Sequence, residues 1–197
     1  MNRKKLFNSN AAAAPKKHHW SAGLLESMKD PTYIVKEDND IVVIKDKYPK
    51  ARFHYLVLPK ENISKIWNVN KEHEYLLLHM DNVAEELSKE HPEHEFIIGY
   101  HAMPSMQRLH LHVISTDFTS QCMKTKYHWN SFTTPFFMPS KDICKQLKEN
   151  GKLERISQTI AQEYLYTELK CFKCTFKPKN MGDLKRHLPS HLSDDKE

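Results

Sequence analysis

The stretch "MQRLHLHVIS", residues 106–115, alternates polar and apolar side chains along most of its length. Its polar positions are two residues apart: Arg108, His110 and His112. Successive side chains of a β-strand point to opposite faces, so this spacing predicts a strand with one apolar and one polar face. A strand that commits a whole face to imidazole and guanidinium groups is a candidate for binding phosphate or metal.

Composition limits the classes of protein to which the chain can belong. It has 197 residues, a formal net charge of +5, 13 histidines and four cysteines. Two cysteines are isolated and two form a close pair, which indicates an intracellular protein with one possible metal site. No apolar run approaches the roughly 20 residues of a membrane span, and we expect neither a secretory signal nor a membrane partner. The basic balance suits a polyanionic partner.

Four segments differ in composition. We predict a flexible basic tail at 1–17, a globular domain at 18–138, a helical connector at 139–170 and a small unit with its own tail at 171–197. The first tail carries two separated basic clusters, a pattern typical of a split nuclear-import signal, although a merely solvated tail has the same composition. We therefore predict a nuclear location.

Hydrophobic periodicity predicts an α+β fold. Five strands are predicted, at 33–38, 40–46, 53–60, 95–101 and 109–115. Helices are predicted at 21–29 and 71–90, then from a cap at Ser140 to Gly151, and again from 153 to 164. The Pro-flanked stretch at 133–140 is predicted to be a loop. We expect an antiparallel sheet of about five strands grouped around the long helix.

The polar face of the 106–115 strand has three interpretations. It is a half-exposed strand, a metal site, or a site that handles phosphate. A His-x-His pair supplies two metal ligands, but a hydrolytic metal usually also takes carboxylates, and Asp117 is the only acid nearby. A neutral imidazole is a good nucleophile near pH 7, and flanking cations hold phosphate oxygens. We expect no catalytic metal.

The C-terminal unit has the spacing of a C2H2 zinc finger. Its sequence reads Cys171-x2-Cys174-x12-His187-x3-His191. Two thiolates on a turn and two imidazoles one helical turn apart can complete a tetrahedral Zn²⁺ site. Because a unit this small has almost no core, we expect structural Zn²⁺ to supply its folding free energy.

The same unit is basic. Lys173, Lys185 and Arg186 are predicted to contact DNA phosphates. One finger spans only about three base pairs, so we expect it to position a DNA end without choosing a sequence.

Several motifs give the chain a resemblance to a known family. The run at 108–115 resembles the His-φ-His-φ-His-φ-φ motif (φ, apolar) of histidine-triad (HIT) nucleotide hydrolases and transferases. "IKDKYPKARFHYLVLPK" (44–60) resembles the first signature of that family. "GYHAMPSM" (99–106), "KYHWNSF" (126–132) and the finger are more specifically similar to the aprataxin family.

The resemblance covers roughly residues 18–191, and the forkhead-associated domain of vertebrate aprataxins has no counterpart in this sequence. Arg108 stands where the triad begins with His, which leaves the middle histidine in place.

The resemblance implies a reaction at the α-phosphorus of an adenylate. A histidine forms a covalent histidine–AMP, and water then releases AMP. In aprataxins the substrate is AMP joined through a pyrophosphate to a 5′ end of nicked or broken DNA, including RNA–DNA junctions. The chain is then expected to be a DNA-end repair hydrolase that restores a 5′-phosphate.

The resemblance also implies roles for single residues. His110 is the expected nucleophile, and its other ring nitrogen must carry the proton and face an acceptor. His112 is expected to contact phosphate oxygens. His101 would assist the leaving group as an acid or a cation, and Ser105 would donate a hydrogen bond to phosphate.

Four further residues are expected at the nucleotide. Asp46 would bind the ribose hydroxyls or is only a turn acid, and His54 would line the pocket or belongs to the core. Lys50 serves phosphate, the fold or the DNA backbone, and Lys124 is expected beside the phosphates.

The segment "HHWSAGLLESMKD", residues 18–30, is a candidate wedge. Trp20 would stack on the terminal base pair of DNA, and Leu24 and Met28 follow on the same helix face. These two would complete the wedge or wall the adenine pocket. Alternatively, all three pack against the sheet.

Two other functions compete with DNA-end repair. A small-molecule HIT hydrolase would act on dinucleotides or phosphoramidates, but such a substrate needs neither the finger nor the basic tail. A non-enzymatic zinc-finger DNA adaptor would leave the histidine face and Asp46 without a purpose.

Overall fold

Six strands form one antiparallel sheet in the structure, a computed structural model that describes residues 23–192. The strands are β1 (Ile34–Glu37), β2 (Ile41–Lys45), β3 (His54–Pro59), β4 (Phe96–His101), β5 (Leu111–Ser115) and β6 (Phe137–Pro139). Their order across the sheet is β1-β2-β3-β5-β4-β6. The predicted α+β class and antiparallel sheet are confirmed, with one strand more than expected.

Six α-helices accompany the sheet within these residues: α1 (Gly23–Ser27), α2 (Glu74–Lys89), α3 (Lys126–Thr133), α4 (Ser140–Asn150), α5 (Gln158–Tyr166) and α6 (Met181–His187). Short 3-10 segments lie at Ile66–Asn68, Lys71–His73 and Leu188–His191. None of these helices combines the length and apolarity needed to cross a bilayer.

The extra strand is β6, where the sequence predicted a loop. It pairs with β4 at the sheet edge, with Gly99 opposite Pro139. Proline cannot donate to a ladder but is tolerated on an edge strand, so the proline-rich sequence hid this short pairing. A side chain at Gly99 would collide with the carbonyl of Met138, so the close approach of β4 and β6 requires glycine there.

The two faces of the sheet carry different layers. On one face, side chains such as Val57 and Val113 join α2 and α4 in the largest apolar cluster. The other face has separate apolar clusters at its two ends, one that includes Leu24 of α1 and one that includes Trp129 of α3. The cavity histidines lie on this face, between the two clusters.

The helix that follows β6 shows where local signals misled. The sequence predicts Ser140 as its cap, but Ser140 is the first helical residue and Pro139, which has no side-chain donor or acceptor, occupies the cap position. The predicted end is confirmed, since Gly151 takes a left-handed φ of 68° as the C-cap. The next helix begins only after Ser157, which caps it through a bond from the N–H of Ile160.

Candidate active site

A cavity of about 560 Å³ opens on the histidine face of the sheet. The predicted site residues that line it are Leu24, Asp46, Lys50, His54, His101, Ser105, His110 and His112. β3 and β5 run antiparallel with Leu56 opposite His112, and Gly99 of β4 lies on the other side of His112. Pairing of these three strands therefore brings together histidines that are far apart in the sequence.

His110 has a ring nitrogen ready for attack. Its Nδ1 lies 2.7 Å from the carbonyl oxygen of Arg108, and a carbonyl can only accept. The proton is therefore on Nδ1, and Nε2 keeps its lone pair. Burial lowers the pKa of His110, while the Arg108 carbonyl and the Asp46 charge act in the opposite direction. A neutral imidazole with a free Nε2 is the form that a nucleophile requires.

A chain of hydrogen bonds fixes the proton on His112. The backbone N–H of Lys50 donates to Nδ1 of His54 at 3.2 Å, so His54 carries its proton on Nε2. That proton is donated to Nδ1 of His112 at 2.9 Å, so His112 carries its own proton on Nε2. Nε2 of His112 is buried and has no partner among residues 23–192. It is a donor that waits for an acceptor, which suits contact with a phosphate oxygen.

Burial keeps this chain of imidazoles neutral. It lowers the pKa of His54 to about 4, although the Asp46 carboxylate opposes the shift from 3.6 Å. Burial also holds the pKa of His112 well below its usual value. Neutral rings donate one proton each in a fixed direction, so the site is organised by tautomers rather than by charge.

His101 lies at the end of β4, with its ring centroid 4.4 Å from that of His112. Its Nε2 is buried and without a partner in the described part of the chain. Burial, followed by the proximity of His110, holds the pKa of His101 well below its usual value. His101 is therefore neutral at rest, and it becomes a cation only if a bound phosphate raises its pKa.

Asp46 and Lys50 each make a contact within the β2–β3 loop and also line the cavity. Asp46 is a turn acid, because its Oδ1 accepts the N–H of Tyr48 at 2.7 Å, and it also lines the cavity. The ammonium of Lys50 donates to the carbonyl of Tyr48, and burial lowers its pKa. Both charged groups therefore face the cavity from the β2–β3 loop.

The finger brings four metal-binding side chains together. The ligand atoms of Cys171, Cys174, His187 and His191 all lie within 4.8 Å of one another. Nε2 of His191 is 3.4 Å from Sγ of Cys171, and Nε2 of His187 is 3.2 Å from Sγ of Cys174. The two Nε2 atoms face each other at 2.9 Å. Two nitrogens and two sulfurs that converge on one point form a donor set that fits Zn²⁺.

Comparisons with known proteins agree with this arrangement. Residues 19–128 match the family described as scavenger mRNA decapping enzyme C-term binding, and residues 133–194 match the C2HE / C2H2 / C2HC zinc-binding finger. The chain is 47% identical to Aprataxin of Ciona intestinalis over 181 residues, which cover 90% of this chain and 47% of that protein. The chain belongs to the aprataxin family. Aprataxin of Danio rerio is 48% identical over 88% of this chain and 54% of its own length.

The chain spans about half the length of these curated aprataxins. Among solved structures, the aprataxin ortholog Hnt3 in complex with DNA superposes with a TM-score of 0.61 and 22% identity, covering 89% of this chain and 94% of that one. Hnt3 from Schizosaccharomyces pombe gives a TM-score of 0.62 at 21% identity, over 86% of this chain and 90% of that one. These two likenesses show the shared fold.

Arg108 stands where the HIT motif begins with His, and the prediction that its side chain shares the histidine face is wrong. β5 begins only at Leu111, and Arg108 has a φ of 96°, so the alternation of strand faces does not extend to it. Its guanidinium turns away from the 560 Å³ cavity towards the end of β3.

The sequence interpretation missed four cavity residues on α3. Tyr127, His128, Ser131 and Phe132 line the cavity, whereas Lys124 is exposed and does not. The N–H of Lys124 donates to Nδ1 of His128 at 3.2 Å, so His128 carries its proton on Nε2. The sequence held a signal for His128 and Ser131, because residues three apart on a helix share a face.

The candidate wedge is only partly described. Trp20 lies outside residues 23–192. Leu24 lines the cavity and belongs to an apolar cluster with Ile44 and Leu56. Met28 is partly buried against that cluster and does not line the cavity.

The finger cations have different surroundings. Lys173 pairs with Glu95 at 2.6 Å, and the ammonium of Lys185 donates to the carbonyl of Ser120 at 3.0 Å. Both contacts tie the finger to the sheet domain. The side chain of Arg186 is 75% exposed, with Asp183 at 3.4 Å. Contact of these cations with DNA stays a prediction.

Proposed function

We propose that the protein is a DNA-end repair hydrolase that removes AMP from adenylated 5′ ends of DNA. Nε2 of His110 attacks the α-phosphorus, the bond from that phosphorus to the bridging pyrophosphate oxygen breaks, and a 5′-phosphorylated DNA end leaves. Water then attacks the same phosphorus, breaks the P–N bond and releases AMP. The observation that carries this proposal is the free Nε2 of His110 in the cavity, with its proton fixed on Nδ1.

Other cavity residues suit the remaining steps. The Nε2–H of His112 donates to a non-bridging α-phosphate oxygen, as does Ser105 from the cavity rim. His101 stands by the leaving 5′-phosphate, and Lys50 balances its charge. Asp46 accepts from the ribose hydroxyls with the oxygen that the Tyr48 turn leaves free.

The finger supplies DNA contact and not chemistry. Zn²⁺ bound by Cys171, Cys174, His187 and His191 would supply folding free energy. The proposed catalytic step needs no metal, because the lone pair on Nε2 of His110 makes the attack. The partners are nicked or broken DNA and RNA–DNA junctions, the product is AMP, and the location is nuclear. The structure of the aprataxin ortholog Hnt3 in complex with DNA supports DNA as the partner.

The test compares three substrates with wild type and His110→Ala. Adenylated duplex DNA should turn over faster than an adenylated single strand and much faster than a free dinucleotide, and His110→Ala should act on none. A dinucleotide that turns over fastest would instead make the protein a small-molecule hydrolase.

Trp20 is proposed to stack on the terminal base pair beside the cavity. Trp20→Ala should lower kcat/KM for adenylated duplex by about 5- to 150-fold, the equivalent of losing ~1–3 kcal/mol of stacking. The single strand should suffer less and the dinucleotide hardly at all. Tyr75→Ala, at an aromatic that is 73% exposed on α2, is the matched control. Equal losses on all substrates with a lower Tm would place Trp20 in the core.

A further inference from the structure

Arg108 is a buried cation that the reaction does not use. Its residue is 7% exposed, yet it does not line the 560 Å³ cavity. It borders a separate void of about 10 Å³ that His110 and His101 also line. The side chain of Arg108 is therefore outside the cavity proposed to hold the nucleotide.

The guanidinium joins two pieces of backbone. Nη2 donates to the carbonyls of Pro59 at 2.7 Å and Lys60 at 2.6 Å, and Nη1 donates to Oδ1 of Asn62 at 2.9 Å. The exit of β3 and the loop after it are thereby fixed to the segment that enters β5. A histidine at this position has only two ring nitrogens, so it could not reach all three acceptors at once.

The backbone at Arg108 is strained, and that strain serves His110. A φ of 96° is uncommon for a residue with a side chain, and it costs free energy that surrounding contacts must offset. The N–H groups of Arg108 and Leu109 donate to Ser64 and Ile63, and the guanidinium adds its three bonds. In this conformation the Arg108 carbonyl points at Nδ1 of His110.

We propose that Arg108 is a positioning residue, whose guanidinium clamp holds its own carbonyl against His110 and so selects the tautomer with a free Nε2. The inference rests on the proposed role of His110 as nucleophile. It gives the arginine at the first triad position a function that needs no contact with phosphate.

The experiment measures the tautomer of His110 directly. The ¹⁵N chemical shifts of the imidazole nitrogens are compared in wild type, Arg108→Met and Arg108→Lys, without substrate. Wild type should show Nδ1–H alone, Arg108→Met a mixture with Nε2–H, and Arg108→Lys an intermediate mixture. Arg155→Met, at an exposed arginine before α5, is the matched control and should leave the tautomer unchanged.

Kinetics on adenylated DNA distinguish positioning from binding. Arg108→Met should lower kcat about 10- to 100-fold, by analogy with the loss of a group that orients a metal-binding histidine, with KM within about twofold of wild type. The acid limb of the pH–kcat profile should move to lower pH, because the carbonyl bond favours the protonated ring. A higher KM with an unchanged kcat would make Arg108 a substrate contact and overturn the proposal.

Folding is controlled with a milder variant. Asn62→Ala removes one of the three acceptors and should shift the tautomer in the same direction by a smaller amount. An unchanged tautomer in every variant overturns the proposal. Absence of deadenylation by wild type would overturn the proposed function and leave the tautomer result standing.

Discussion

The cavity and the finger both hold histidines, but their ring nitrogens meet different partners. In the cavity, Nδ1 of His110 faces a carbonyl, and Nδ1 of His112 faces the Nε2–H of His54. In the finger, the Nε2 atoms of His187 and His191 face each other and two thiols. The first arrangement fixes the tautomers of His54, His110 and His112, whereas the second brings two nitrogens and two sulfurs together at one point. The partners of each nitrogen therefore suit His110 to the proposed attack and the finger histidines to binding metal.

The backbone elements explain this difference. Three cavity histidines, His54, His101 and His112, lie on paired strands that hold one ring against the next, and His110 comes immediately before β5. His187 and His191 are four residues apart at the end of α6 and in the 3-10 turn that follows it, so both point to the same side. In this protein the hydrogen-bonded histidines of the cavity come from different strands, whereas the finger histidines come from one helix and the turn after it.

Of the changes that separate the finger from the cavity, removal of zinc should have the largest effect. Structural zinc sites in small fingers contribute about 10–16 kcal/mol, so a chelator or Cys174→Ser should unfold residues 171–191. DNA affinity should fall and its salt dependence should flatten, while hydrolysis of a free adenosine phosphoramidate changes much less. Zinc content, hydrogen exchange of the finger and both activities are measured.

Cys122→Ser, outside the finger, is the control for that experiment and should keep its zinc. Leu184 and Leu188 of the finger share an apolar cluster with Trp129, so some loss of overall stability is expected too. Equal failure of both substrates would mean that the finger belongs to the catalytic fold.

Loss of the proposed nucleophile should have the second largest effect. His110→Ala should keep fold and DNA binding but lower kcat by about 10⁶-fold, or about 8 kcal/mol, as in other enzymes that lose a nucleophile. An acid-labile histidine–AMP should be trapped on wild type and be absent from the variant. His79→Ala, on the outer surface of α2, should behave as wild type. Normal turnover by His110→Ala would remove the cavity from the mechanism.

As the pH falls, the buried cavity histidines should lower the free energy of unfolding before any carboxylate is protonated. The pKa of His54 is about 4 in the fold against about 6.5 in the unfolded chain, so the unfolded state takes up the proton first as pH falls. Stability present above pH 6.5 is therefore lost between about pH 6.5 and 4, by about 3 kcal/mol for this residue. Burial lowers the pKa of His112 in the same direction.

Urea unfolding from pH 7.5 to 4.5 measures that loss, and His54→Gln should flatten part of the slope. Zinc content is followed at each pH, because protons also compete for the finger ligands. A free energy of unfolding that stays constant across this range would contradict the neutral, buried chain of imidazoles.

The smallest expected effects come from substitutions of the finger cations, and they distinguish Arg186 from Lys173. Arg186→Ala should reduce the salt slope of DNA binding by about one and leave kcat unchanged, as expected for a single phosphate contact. Lys173→Ala breaks the pair with Glu95, so it should change stability by about 1 kcal/mol or less and the slope hardly at all. Equal slopes for the two variants would show that Lys173 leaves Glu95 to bind DNA.

Much of this molecule follows from local sequence patterns. Alternation and helical spacing predicted β1 to β5 and α2, and the spacing of Cys171, Cys174, His187 and His191 predicted the finger. The position of His110 as a nucleophile came from the resemblance to the HIT motif. Its proton could not be assigned from the sequence, because the acceptor is a backbone carbonyl whose direction depends on tertiary contacts.

The errors have the same physical origin. Arg108 looked like a strand residue because the residue pattern cannot show a φ of 96°. The contacts of Lys173 with Glu95 and of Lys185 with Ser120 could not be predicted either, because the partners are distant in the sequence. Each case concerns a contact between elements rather than a pattern within one.

Gly99 shows that a position without any functional group can be as restricted as the histidines. It lies in β4 between His112 of β5 and Pro139 of β6. Any larger residue would push β6 away, and with it Phe137, whose ring packs 5.9 Å from that of His101. In a saturation mutagenesis screen for activity, position 99 should therefore tolerate as few substitutions as position 110, and alanine should already be rejected.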